Sequence, residues 1–126
     1  MMLKFVDANV IINAFTDNDN KIQCRNILHA EFITDTLCLI EAHYMIAKIK
    51  NNKIYAAECV RSMFKGNGTI IEIDRNILFE AIKKVEKYDL NIFDLVHYII
   101  ALRNECSEFV SYDDDFSGLE IKRTEP

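Results

Sequence analysis

Lys4-Phe5-Val6-Asp7-Ala8-Asn9-Val10-Ile11-Ile12 is the stretch on which the reading of this chain turns. Phe5 and Val6 continue an apolar run from Leu3, and Val10, Ile11 and Ile12 resume it. Runs of this kind suit a strand buried on both faces, as in a parallel sheet. A lone carboxylate inside one is costly to bury unless something pairs with it. If the strand stops near Val6, Asp7 stands at its carboxyl end, where open α/β sheets place ligand sites. Asp and Asn are also good helix N-caps, so a purely local capping role is the other reading of Asp7.

Working outward, strand-like and helix-like segments alternate. Val10 to Phe15 enters a helix that breaks at Thr16-Asp17-Asn18-Asp19-Asn20, a loop by composition that lacks the glycine and distal glutamate of a calcium-binding EF-hand. Lys21 to Ala30 is a short helix, and Glu31 to Thr34 a brief strand. Asp35 is placed to cap a long helix, Thr36 to Asn51, with Leu37, Ile40, Tyr44 and Ala47 on one face. Glu41 lies on that helix among Leu39, Ile40 and Ala42, an unusual setting for a solvent-facing acid. A second helix, Ile54 to Phe64, ends at glycines of the C-cap kind, Gly66 and Gly68. Thr69 to Ile73 is the clearest strand after the first, and Asp74 caps a helix from Arg75 to Tyr88 with Ile77, Leu78, Ala81, Ile82 and Val85 on one face.

Asn91 precedes a helix from Ile92 to Glu105 that is apolar nearly all round and therefore central. Asp94 sits in its first turn, where the helix dipole favours an anion. Phe109 to Tyr112 forms a further strand ended by Asp113-Asp114-Asp115, and Leu119 to Lys122 a short edge strand. This alternation predicts an α/β fold, a three-layer α/β/α sandwich with a central, mainly parallel sheet.

The totals agree. A chain of 126 residues, half hydrophobic and 28% charged, has the size and composition of a single globular domain, taken as residues 1–126. No apolar run is long enough to cross a bilayer, and Met-Met-Leu-Lys leads straight into a strand with no secretory leader. Cys24, Cys38, Cys59 and Cys106 are widely spaced without a C-x-x-C, which predicts reduced core thiols and a cytoplasmic protein. The net charge of −5 argues against a passive nucleic-acid-coating protein but fits carboxylates gathered around a cation.

Four acids occupy comparable places: Asp7 after the first strand, Glu41 on the long helix, Asp94 opening the buried helix and Asp113 after a late strand. Strand ends and helix starts meet at one edge of a parallel sheet, so these groups converge and repel. A hard divalent cation with oxygen ligands, Mg²⁺ or Mn²⁺, resolves the conflict. His29, His43 and His97 lack zinc-ligand spacing. His97 reads first as a packed or surface histidine, with reach to the site as the alternative.

The residues that carry this reading also carry a resemblance. Phe5-Val6-Asp7-Ala8-Asn9-Val10-Ile11-Ile12, Leu39-Ile40-Glu41, Asn91-Ile92-Phe93-Asp94 and Phe109-Val110-Ser111-Tyr112-Asp113-Asp114-Asp115-Phe116 resemble, in order, the signature of PIN domains. The single-domain form is most similar to VapC-type toxin ribonucleases of toxin–antitoxin pairs. The resemblance implies a doubly wound sandwich and Mg²⁺- or Mn²⁺-dependent hydrolysis of RNA. It assigns catalysis to Asp7, Glu41, Asp94 and Asp113, metal ligation to Asp7, Asp94, Asp113 and Asp115, and supporting polar roles to Asn9 and Ser111. Asp113 and Asp115 are one strand alternation apart as candidates for the fourth acid. Tyr98 is larger than the small residue expected one turn below Asp94, and so narrows the site.

Rival acidic-site folds fit less well. A haloacid-dehalogenase-type phosphatase needs a second Asp where Asn9 stands, and a receiver domain needs adjacent acids at the first strand. A catalytically weak PIN-type module that binds protein or RNA is the non-enzymatic alternative. Tyr44, Met45, Ile46, Ile49, Tyr55 and Met63 on the two long helices suggest a homodimer, and a toxin pair would add a cognate antitoxin. Lys48, Lys50 and Lys53, followed by Arg61 and Lys65, are the candidate grip on RNA phosphates; a solvated helical face is the plain alternative.

Overall fold

The computed structural model describes residues 3–126; Met1 and Met2, with which the expected leader-free start begins, lie outside the described residues. Five strands, β1 (Lys4–Val6), β2 (Phe32–Asp35), β3 (Gly68–Ile71), β4 (Glu108–Val110) and β5 (Lys122–Thr124), form one sheet in the order β3-β2-β1-β4-β5. Every pairing is parallel, with Phe5 opposite both Ile33 and Phe109. Helices α1 (Ala8–Ala14), α2 (Lys21–His29), α3 (Thr36–Lys50), α4 (Lys53–Met63), α5 (Arg75–Lys83) and α6 (Ile92–Arg103) flank it. This is the expected α/β/α sandwich, because parallel strands need crossovers that cover both faces.

β1 is central, and the chain leaves it for β2 on one side and later fills β4 and β5 on the other. The order therefore reverses between β1 and β4, and the crevice beyond their carboxyl ends is the topological switch point. An aromatic stack lies beneath: Phe109 stacks on Phe5 at 4.9 Å and on Phe116 at 4.1 Å between ring centroids. All four cysteines are buried and unpaired, as expected of core thiols.

Several elements differ from expectation, each for a local reason. In α3 the inward face is Cys38, Leu39, Ala42 and Ile46, whereas Ile40 and Tyr44 are 65% and 64% exposed. The helix is apolar on two sides, so periodicity alone does not tell which stripe is covered. α5 stops at Lys83 and continues as turns, and only Ile77 and Ala81 of its expected apolar face are buried. β5 begins three residues late, because Ile121 N–H donates to Tyr98 Oη at 2.8 Å before ladder pairing starts at Lys122 opposite Glu108. Gly68 is no helix cap: it opens β3 opposite Phe32, and a Cβ there would fall 2.3 Å from the Phe32 ring.

Candidate functional site

Asp7 is both the cap and the buried acid that the sequence left as alternatives. β1 ends at Val6, α1 begins at Ala8, and Asp7 Oδ1 accepts the Ala8 N–H at 2.8 Å. Its other oxygen accepts from Ser111 Oγ at 2.8 Å and from Asn9 Nδ2 at 3.3 Å. Asn9 Nδ2 also donates to Ser111 Oγ at 3.0 Å, and Tyr112 N–H donates to Asn9 Oδ1 at 3.3 Å. Asp7, Asn9 and Ser111 thus lock the ends of β1 and β4 together across the switch point. Burial pushes the Asp7 pKa upward, opposed by the nearby His97 charge and by the Ser111 and Ala8 hydrogen bonds.

A second network joins β2, α3 and α6. Asp35 caps α3 by accepting Cys38 N–H at 2.7 Å on Oδ1, and its Oδ2 accepts from His97 Nδ1 at 2.6 Å. His97 Nε2 donates to Glu41 Oε1 at 2.7 Å. Carboxylates accept only, so a ring that donates from both nitrogens is an imidazolium. Burial opposes that charge, and the adjacent Cys38 is a neutral thiol whose pKa burial pushes up to about 12. Against that burial, the neighbouring Cys38 and the hydrogen bonds to Asp35 and Glu41 raise the His97 pKa well above its ordinary range. His97 is packed, as the first sequence reading has it, and it also reaches the site. Asp35 was legible only as a cap; its link to His97 spans 62 residues and no local pattern signals it.

The third group is looser. Asn91 caps α6, accepting the Asp94 N–H at 2.9 Å and donating Nδ2 to Asp94 Oδ2 at 3.1 Å. One carboxylate oxygen each from Asp94, Asp113 and Asp115 lie within 4.8 Å of one another. β4 has already ended at Val110, and Asp113 caps a 3-10 turn at Asp114–Phe116, where its Oδ1 accepts the Asp115 N–H at 2.9 Å and keeps the two acids together. Asp114 points outward to Arg123 Nη2 at 3.1 Å, its side chain 90% exposed. Asp94 is pushed up to about 6, first by burial and then by the charges of Asp7 and Asp113, with Glu41 adding to the rise. All four expected acids therefore act on one locus.

The donor set fits a hard divalent ion. Asp94, Asp113 and Asp115 offer only oxygens, and their mutual repulsion is what a cation relieves. Asp7, Cys38 and His97 also lie close together, but both His97 nitrogens are spoken for and Cys38 is no thiolate, so that group is no metal site. Tyr98 does not narrow the crevice: it is fully buried, packed against Tyr88 and Phe109. Of the candidate RNA-gripping lysines, Lys50 is held by Asp17 at 3.0 Å, while Lys48 and Lys53 make no ion pair among the described residues. Ile46 and Met63, named for a dimer face, are buried in the core, whereas Tyr44 and Ile49 are exposed.

The sequence matches the family described as PIN domain over residues 4–122. No curated protein matches it in sequence. Among solved structures, the sarcin–ricin-loop-cleaving toxin VapC20 of Mycobacterium tuberculosis aligns with a TM-score of 0.80 at 10% identity, covering 98% of this chain and 99% of that one. A toxin–antitoxin complex from Klebsiella pneumoniae gives 0.73 at 18% identity, covering 93% and 92%. VapBC2 of Rickettsia felis, bound to a DNA fragment from its promoter, gives 0.69 at 15%, covering 98% of both chains.

Proposed function

Because the chain belongs to the PIN domain family, we propose that it is a metal-dependent endoribonuclease, a single PIN-like domain over residues 1–126, acting as the toxin of a toxin–antitoxin pair. The observation that carries this reading is the open group Asp94, Asp113 and Asp115 at the switch point, beside buried Asp7 and anchored Glu41. Asp94, Asp113 and Asp115, with Asp7 behind them, are the residues that would hold Mg²⁺ or Mn²⁺. Such an ion, when bound, lowers the pKa of a coordinated water and neutralises charge developing on a phosphodiester.

The chain's own residues set the stage for that chemistry. Asn91 fixes the Asp94 carboxylate by its side-chain amide, so Asp94 needs only to lose its proton, which it does near pH 6. Ser111 and Asn9 keep Asp7 in one orientation and supply it with hydrogen bonds that a buried carboxylate requires. Glu41 adds a further acceptor on the α3 side, suited to orienting the attacking water.

The partners follow from the same reading. RNA is the substrate, and Lys48, Lys50 and Lys53 grip its phosphates. A groove of about 450 Å³ between α3 and α4, lined by Leu39, Ile40, Val60 and Phe64, supports docking of an antitoxin. Exposed Tyr44 and Ile49 support a homodimer, which light scattering at high concentration tests; a strict monomer removes it. No helix among the described residues is long and apolar enough to cross a membrane, and the four free thiols support a cytoplasmic location.

The deciding experiment measures cleavage and binding of RNA by the wild type and Asp94→Asn, each with Mn²⁺ or EDTA. Cleavage lost in Asp94→Asn and in EDTA, with binding kept, supports the nuclease. Binding without cleavage under every condition supports the weak-catalyst binding module instead.

A further inference from the structure

Resting on the nuclease reading above, we infer that His97 is a positioning residue, which grips one carboxylate oxygen of Glu41 and so aims the other into the metal-binding crevice. The geometry forms a relay with one end nailed down. Asp35 is fully buried and fixed at Oδ1 by its own helix cap, so its second oxygen has one place to be. That oxygen takes His97 Nδ1 at 2.6 Å, and the ring, fully buried beside Phe5, passes the constraint through Nε2 to Glu41 at 2.7 Å.

Glu41 makes no other hydrogen bond or ion pair with a side chain among the described residues, and its side chain is 36% exposed. A glutamate on a helix surface ordinarily samples several rotamers; here a single contact selects one. The histidine charge also faces Asp7 and Asp94, opposing the rise that burial imposes on the pKa of each. A buried ion pair of this kind is weak support for stability as such, because desolvation offsets the attraction. Orienting a carboxylate at the site accounts for its placement: groups that hold a ligand from behind typically contribute 10–100-fold to metal affinity or activity.

The test is a double-mutant cycle of His97→Gln and Glu41→Gln, read by two methods. Free Mn²⁺ measured by electron paramagnetic resonance gives the affinity for the ion alone, and RNA cleavage gives kcat and KM separately. The expected result is a roughly tenfold loss of Mn²⁺ affinity in His97→Gln, a fall in kcat with KM little changed, and no further loss on adding His97→Gln to Glu41→Gln. Losses that multiply in the double variant show that His97 only supports the fold, and overturn the inference. If His97→Gln does not fold, Asp35→Asn replaces it, since Asn keeps the helix cap while weakening the hold on the ring; the same non-additivity with Glu41→Gln is required. Absence of Mn²⁺-dependent cleavage by the wild type overturns the nuclease reading itself, while the Mn²⁺ cycle still decides the role of His97.

Discussion

Asp7 and Asp94 are carboxylates at the edge of one sheet, and their surroundings are opposite in kind. Asp7 is 5% exposed and has partners on both oxygens, from Ala8, Asn9 and Ser111. Glu41 belongs with it, tied through His97 to Asp35. Asp94 has one amide partner and faces Asp113 and Asp115, which bring more negative charge and no cation. The tied half satisfies its charges from within the protein, and so can be built before any ligand arrives. The open half leaves its repulsion unrelieved, an instability that a divalent ion, on the reading proposed above, would remove on binding.

The largest expected effect tests that division directly. Asp94→Asn should lower Mn²⁺-dependent cleavage at least about 100-fold, because it removes an oxygen donor where charge is concentrated. The same substitution should make the metal-free protein more stable, because it deletes the repelled charge. Loss of activity together with loss of stability would place Asp94 in the tied half and break the comparison.

Metal addition is the next measure. A saturating ion binds only the folded state, so at a hundredfold excess over Kd it should stabilise the wild type by about 2.7 kcal/mol. For a domain of this size that raises Tm on the order of 10 °C. Asp94→Asn should show little rise, as followed by thermal unfolding with and without Mn²⁺.

The pH dependence of the metal-free protein sharpens the point further. Asp94 titrates near 6 in the folded chain against an ordinary 3.8, so between those values the folded state binds more protons than the unfolded. Its contribution is therefore most favourable below about pH 4 and is lost as the pH rises through 6. Urea unfolding in EDTA across that window should show a decline that Asp94→Asn reduces, leaving the part due to Asp7, whose pKa burial also raises. Mn²⁺ affinity should run the other way, rising with pH through 6.

How much of this was legible in the sequence follows the same division. Asp7 and Asp113 follow strands and Asp94 opens a helix, so their places and the parallel sheet follow from local pattern, whereas Glu41, inside α3, was marked only by its apolar neighbours. The choice between Asp113 and Asp115 was not legible, because both lie past the end of β4 in a 3-10 turn that brings both carboxylates to Asp94. His97 and Asp35 were readable only as a packed ring and a cap, since their meeting depends on how α6 crosses β2. The sequence placed Ile40 and Tyr44 on one apolar face of α3 without showing which face is covered, because the helix is apolar on two sides and only the tertiary arrangement decides.

A smaller effect is expected inside the tied half. Ser111→Ala leaves Asp7 Oδ2 with Asn9 alone, at 3.3 Å, and removes the acceptor for the Asp113 N–H as well. An under-satisfied buried acceptor costs about 1–3 kcal/mol, so unfolding in denaturant should show a loss in that range. Mn²⁺ affinity should change far less than in Asp94→Asn. A larger effect on metal than on stability would move Asp7 to the open half.

The smallest effect carries the comparison from anions to cations. Lys50 is held by Asp17, which Lys21 also approaches at 3.4 Å, whereas Lys48 and Lys53 stand exposed with no ion pair among the described residues. A cation already paired must give up that partner before it can release a counterion from RNA, so its net contribution to binding is reduced. Each phosphate contact on a single strand contributes about −0.7 to the slope of log K against log salt. Lys48→Ala and Lys53→Ala should each flatten the slope by roughly that amount, and Lys50→Ala by less. Affinity measured by filter binding or anisotropy in EDTA, from low to moderate salt, separates the three variants. Equal slopes for all of them would show that the Asp17 pair is too well solvated to matter; slopes identical to the wild type would mean that RNA enters the crevice by another face.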